Sequence, residues 1–284
     1  MKRFRIENVG GHAELVTETP TGLPNTAGGR SADHASPRND AASSISPWRA
    51  ASEDAGRRLR EPNFVMPKHY TPTYRYPLVI HLHGEGNNQR EINQLFPHIS
   101  AQNFVYAGIR GQRCLDADAT RFGWGQSDAS AHRTSADLLA CIDEAKKRFS
   151  IHADRVVLIG RESGGEMAMR MAMEHPQTFA AVVSIGGSWP RFRLSDWHAL
   201  RRRRLPLLWQ WGREDPTYSR DARLKDCRAS MLMGMKVEIR EYPGDGEPCT
   251  TMLSDINHFL MGTLIGEDIV SDHSSLSDSL YQYN

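Results

Sequence analysis

Six short runs of almost unbroken apolar, β-prone residues, separated by segments of helical periodicity, decide what this chain can fold into. The runs are Leu78–His83, Phe104–Ile109, Arg155–Ile159, Ala181–Ile185, Leu207–Trp211 and Val237–Tyr242. A strand that is apolar on both of its faces must be covered on both, which is the situation of a parallel sheet. Between them, Ala136–Phe149 sets Leu138, Leu139, Ile142, Ala145 and Phe149 on one helical stripe. Gly165–Glu174 carries Met167, Met169, Met171 and Met173 around most of its circumference, as core filler on a helix buried against the sheet. Thr251–Leu264 offers Met252, Leu253, Ile256, Phe259 and Leu260 for burial. Alternation of β and α in this order predicts an α/β chain: a mostly parallel, doubly wound sheet with helices on both faces and its ligand crevice at the carboxyl ends of the strands.

The pattern occupies residues 61–265 and nothing outside them. Between Thr21 and Arg60 only Leu23, Ile45, Trp48 and Leu59 are large and apolar, while Gly, Pro, Ser and Ala fill 21 of the 40 positions. Such a stretch cannot offset its ordering entropy by burial, so residues 1–60 are expected to be a mostly disordered arm with a short strand near Phe4–Val9. Residues 266–284 contain Glu267, Asp268, Asp272 and Asp278 with no Lys or Arg, and read as a loose acidic tail. One domain of about 205 residues remains, rather than the two that 284 residues would suggest. The formal net charge of +1 argues against nucleic acid or an anionic membrane as partner. No apolar run approaches a membrane span, no signal-peptide core follows the N-terminus, and Cys114, Cys141, Cys227 and Cys249 form no CxxC pair. A reduced, cytoplasmic chain is the expectation.

The informative residues stand where the strands end. His81-Leu82-His83-Gly84-Glu85-Gly86 closes one strand, Gly160-Arg161-Glu162-Ser163-Gly164-Gly165 joins the next to a helix, Gly212-Arg213-Glu214-Asp215 follows a third, and Tyr242-Pro243-Gly244-Asp245-Gly246-Glu247 a fourth. In this order the segments YPLVIHLHGEG, VVLIGRESGGEMAM, LLWQWGRED and YPGDGE with TTMLSDINHFL resemble the phospholipase/carboxylesterase branch of the α/β-hydrolases, which includes the acyl-protein thioesterases. The resemblance runs from about Phe64 to Ile265 and implies an oxyanion turn, a nucleophile elbow, an acid loop and a histidine loop. Neither GxGxxG nor a P-loop occurs, which leaves a nucleotide-binding fold without its motif.

The residue types depart from that family's chemistry. An elbow needs glycines two before and two after its tip, and the frame with both is Gly160-Arg161-Glu162-Ser163-Gly164, with Glu162 at the tip. Where the resemblance implies histidine stands Glu247; Asp215 alone keeps the implied type. His258 lies about eight residues into the last helix and is expected on the surface. The triad-equivalent positions therefore read Glu162, Asp215 and Glu247, lacking the hydroxyl and imidazole of a serine hydrolase. Three converging carboxylates call for a shared proton or for a cation, either a hard metal or Arg161 or Arg213; neither metal nor cofactor is assigned. The oxyanion donors are expected from Gly84, Glu85 and Ser163. The expected function is a degenerate, pseudo-hydrolase or carboxylate-based member of the family, binding a small ester-like molecule or a protein partner. The alternative is an active carboxylic-ester hydrolase using Ser163 in a shifted elbow. His83, Phe122-Gly123-Trp124 and Trp189-Pro190 are expected to serve packing and hydrogen bonding, and Arg201–Arg204 to be a solvated loop rather than a docking patch.

Overall fold

The computed structural model describes residues 2–5, 61–191 and 197–265. Ten strands carry the architecture: β1 (Lys2–Arg5), β2 (Asn63–Val65), β3 (Tyr76–Leu82), β4 (Val105–Ile109), β5 (Arg113–Cys114), β6 (Phe122–Gly123), β7 (Ile151–Arg161), β8 (Ala181–Ile185), β9 (Pro206–Gly212) and β10 (Lys236–Tyr242). Eight of them form one sheet in the order β1-β10-β9-β8-β7-β3-β4-β2, and β5 and β6 form a separate hairpin. Every pairing from β10 across to β4 is parallel; β1 and β2 close the two edges antiparallel.

The helices are α1 (Ile92–Ile99), α2 (Asp128–Arg148), α3 (Ser163–Glu174), α4 (Trp197–Arg203), α5 (Arg220–Leu232) and α6 (Thr250–Leu264). Along β3, Leu78, Ile80 and Leu82 join one buried cluster while Val79 joins another, as alternation across a sheet requires. The first cluster takes the methionines of α3 and the inner face of α2; the second takes α1 and α6. Helices therefore cover both faces, and the doubly wound α/β architecture stands. Met167, Met169, Met171 and Met173 are all buried, so α3 is wrapped in protein on every side.

All six expected strands form, Ala181–Ile185 with the same bounds. The expected strand near Phe4–Val9 is seen at Lys2–Arg5; residues 6–60 and 266–284, with the arm and tail read there, lie outside the described residues. Three features differ. Leu139, expected on the apolar stripe of α2, is 44% exposed, because it lies 100° around the helix from the buried Leu138. Arg201–Arg203 form the last turn of α4 rather than a loop, although they and Arg204 are exposed. Helix α5 gives little hydropathy signal because three of the four side chains it buries are polar, Arg223, Asp226 and Ser230, with Cys227 the fourth. Arg223 donates to the carbonyls of Gly212 and Arg213, and Asp226 accepts from the Tyr218 hydroxyl and the Trp189 amide.

Candidate functional site

The carboxyl end of β7 turns into α3 over a single residue, Glu162, with φ 52° and ψ −121°. A side chain at positive φ in this region carries strain of about 1–3 kcal/mol, and such strain persists only where the surroundings fix it. Here the Glu162 amide donates to the Ile185 carbonyl at 2.8 Å, and its own carbonyl accepts the Glu166 amide at 3.0 Å. The flanking glycines are steric necessities. A Cβ at Gly160 would lie 2.1 Å from the Gly164 carbonyl oxygen, and one at Gly164 would lie 2.3 Å from that of His83. Glu162 thus stands at the tip, and Ser163 opens the helix behind it.

The Glu162 side chain makes no capping bond to α3. One carboxylate oxygen, Oε2, accepts the backbone amide of Glu85 at 3.0 Å, and the other accepts from the Arg161 guanidinium at 2.9 Å. The same guanidinium nitrogen donates to Glu247 Oε1 at 2.6 Å, and the second terminal nitrogen of Arg161 donates to Glu91 Oε1 at 3.0 Å. Arg161 is only 15% exposed in its side chain, whereas Glu247 is 66% exposed. Burial works to lower the Arg161 pKa, but the charges of Glu162, Glu91 and Glu247 overcome it and raise the value above the ordinary one. Of the cations considered from the sequence, Arg161 is the one at the site; Arg213 is engaged with Glu241 at 2.9 Å. Among the described residues no group of three or more His, Cys, Asp or Glu side chains is arranged to hold a metal.

Beneath Arg161 lies a residue that the sequence did not single out. Glu91, in a short 3-10 turn before α1, is almost fully buried and accepts four hydrogen bonds. Oε2 receives His81 Nε2 at 2.8 Å and the Gly84 amide at 2.9 Å; Oε1 receives Asn87 Nδ2 at 2.8 Å and Arg161. Burial alone would raise its pKa, but the His81 hydrogen bond and charge, the Gly84 amide and Arg161 hold it down to about 2. The expectation for Gly84 is corrected accordingly: its amide is not an oxyanion donor but serves Glu91. Glu85 does offer its amide to the crevice, and the Glu162 carboxylate already takes it.

The Glu85 side chain is fixed as well, by an ion pair with Arg113 on the β5–β6 hairpin and by the Ser163 hydroxyl, which donates to Glu85 Oε2 at 2.8 Å. His83 is buried, with Nδ1–H donating to the Gly84 carbonyl at 2.7 Å and Nε2 accepting the Gly111 amide at 2.8 Å. Burial lowers its pKa to about 4, and the hydrogen bond to Gly84 offsets this only in part. Trp124 packs on the same ring and Trp189 on Trp209, so these aromatics serve as packing.

Of the three carboxylates that the sequence resemblance sets at triad positions, Glu162, Asp215 and Glu247, the structure brings the first and last to one guanidinium. Asp215 is bound to its own turn, accepting the Thr217 amide at 2.8 Å and hydroxyl at 2.6 Å, and has no hydrogen bond to Glu162 or Glu247. Arg161 therefore binds Glu162 and Glu247 together, while Asp215 caps its own turn. His258 is exposed on α6.

The "Putative esterase" family model matches residues 52–237. A curated relative, "Putative esterase NocK" of Nocardia uniformis subsp. tsuyamanensis, is 32% identical over 120 residues, covering 40% of this chain and about a third (33%) of the relative's length. The crystal structure of a Bacillus cereus carboxylesterase superposes with a TM-score of 0.60 at 13% identity, covering 75% of this chain and 99% of that one. That of Zea mays acyl-protein thioesterase 2 superposes with a TM-score of 0.56 at 16% identity, covering 72% and 99%. With the family model spanning the sheet from β2 into β10, this chain belongs to the esterase family of the α/β-hydrolase fold.

Proposed function

We propose that this chain is an esterase-family protein without serine hydrolysis, whose crevice is kept for binding a small ester-like molecule or a protein partner. One observation carries the reading: the elbow tip bears Glu162, and both of its carboxylate oxygens are engaged, one by the Glu85 amide and one by Arg161. A serine hydrolase needs a hydroxyl there, an imidazole beside it and a vacant amide to receive the developing oxyanion. A carboxylate-based reaction is less well supported, since the pairing with Arg161 ties up the electron density that a nucleophile would use, and Glu247 shares the same cation.

A second reading has one observation in its favour. The Ser163 hydroxyl contacts a carboxylate, Glu85 Oε2, at 2.8 Å, and that carboxylate could receive its proton. Turnover of short-chain p-nitrophenyl esters by the full chain separates the readings. The native protein, Glu162→Ala and Ser163→Ala are all expected to match the buffer rate. The paired variant Glu162→Ser with Glu247→His is expected to exceed the buffer rate by about 100-fold or more. Native turnover abolished by Ser163→Ala would establish the serine reading, and native turnover abolished by Glu162→Ala would establish a carboxylate nucleophile.

A further inference from the structure

At the opposite end of the sheet from the crevice, where the strands begin, a cavity of about 360 Å³ opens between α2, the start of β7, the loop before β8 and the last turn of α4. Ile142, Val156 and Phe179 are its buried apolar lining, and Lys146 and Arg203 bring cations to its rim, with Asp154 the acidic residue among those that line it. The surroundings add to the positive side. Lys147 follows Lys146 at the basic C-terminal turn of α2, Arg202 and Arg204 flank Arg203, and all of these side chains are exposed. The cavity therefore suits an aliphatic side chain flanked by carboxylates.

This chain carries a segment of that chemistry. Residues 266–284 contain Glu267, Asp268, Asp272 and Asp278, no Lys or Arg, and Ile269, Val270, Leu276 and Leu280 among the acids. They follow directly on α6, which delivers the chain to the same end of the sheet: Ile265 lines a cleft with Tyr76, Pro77 and Phe104, at the starts of β3 and β4. Neighbouring strands are about 4.8 Å apart, and β3 is the neighbour of β7, so the path to the cavity crosses the thickness of the sheet and few strands. Nineteen residues span up to about 60 Å when extended, well beyond that path.

We propose that the basic cavity between α2 and α4 is the docking site of the acidic segment 266–284 of this same chain. Tethering makes the contact an intramolecular one, with an effective concentration on the order of millimolar, so that individually weak exposed ion pairs suffice to populate it. The contact is charge-driven and weakens with salt over the Debye length.

Carbodiimide, which joins a lysine amine to a carboxylate without a spacer, tests this on the 284-residue chain with peptide mass spectrometry as the readout. Cross-links are expected from Lys146 or Lys147 to Glu267, Asp268, Asp272 or Asp278. Their yield is expected to fall about five-fold in 0.5 M NaCl and in Arg203→Glu, an exposed substitution that leaves the core untouched. Mixing isotope-labelled and unlabelled chains should return links within one chain. Links between chains would overturn the proposal in favour of a second copy. Absence of these links, or links spread evenly to Lys68 and Lys225 and indifferent to salt, would overturn it outright.

Discussion

Replacing Glu91 with alanine is expected to cost about 3–5 kcal/mol of stability, the penalty for breaking a buried ionic network from one side. The carboxylate accepts only, and its four partners are His81 Nε2, the Gly84 amide, Asn87 Nδ2 and Arg161. Its loss orphans four donors from two separate stretches of chain at once, residues 81–87 and Arg161, and each buried orphan costs on the order of 1–3 kcal/mol. Glu91→Gln rescues little, because an amide turns one acceptor into a donor among neighbours that mostly donate. In urea the midpoint should fall by about 1–2 M at an ordinary slope of denaturation. A shift below about 0.3 M would show that the network is not what ties the turn after β3 to the elbow. Arg161→Met, alone and combined with Glu91→Ala, completes the cycle: the double variant should lose less than the sum of the two, because each single change strands the other charge.

Acid should destabilise the protein in two successive windows. His83 has a folded pKa of about 4 against an ordinary value of 6.5, so between those values the unfolded chain binds the extra proton. Its contribution is complete above pH 6.5 and drains away as the pH falls towards 4, amounting to about 3 kcal/mol across the window. Glu91 has a folded pKa of about 2 against 4.5, so its contribution is present above pH 4.5 and is lost as the pH falls through 2, by a similar amount. Urea titrations at pH 7, 5.5 and 4.5 should show stability falling at each step, and an NMR titration should find the His83 imidazole still neutral at pH 5.5. Stability flat from pH 7 to 4.5, with His83 titrating near 6.5, would contradict the buried, Nδ1-protonated imidazole described above.

What the sequence made legible follows from the range over which each signal acts. The six strands and helix α3 were readable because burial on both faces imposes continuous apolar runs, a local signal. The elbow frame was readable because two glycines at fixed spacing answer to backbone contacts within five residues, between Gly160 and the Gly164 carbonyl. Helix α5 was not readable, since it buries Arg223 and Asp226 against loop carbonyls, a hydroxyl and an amide rather than apolar side chains. Helix α1 has Pro97 within it, which obscures a short apolar pattern. At the site, the crowding of Glu162 and Glu247 called for a cation, and Arg161 was among the candidates; that Asp215 would turn instead to Thr217 was not visible. Glu91 left no trace in the sequence. Its partners lie at positions 81, 84, 87 and 161, and a single acid in a polar turn looks the same whether it is solvated or saturated by four donors.

The elbow of this esterase-family chain carries a carboxylate engaged by Glu85 and Arg161, and the proposed function requires that Ser163 beside it is not activated. Intact-mass spectrometry after incubation with a fluorophosphonate, which esterifies activated serines and releases fluoride, tests it directly. An unmodified mass is expected for the native protein. A single stoichiometric adduct mapping to Ser163 would contradict it.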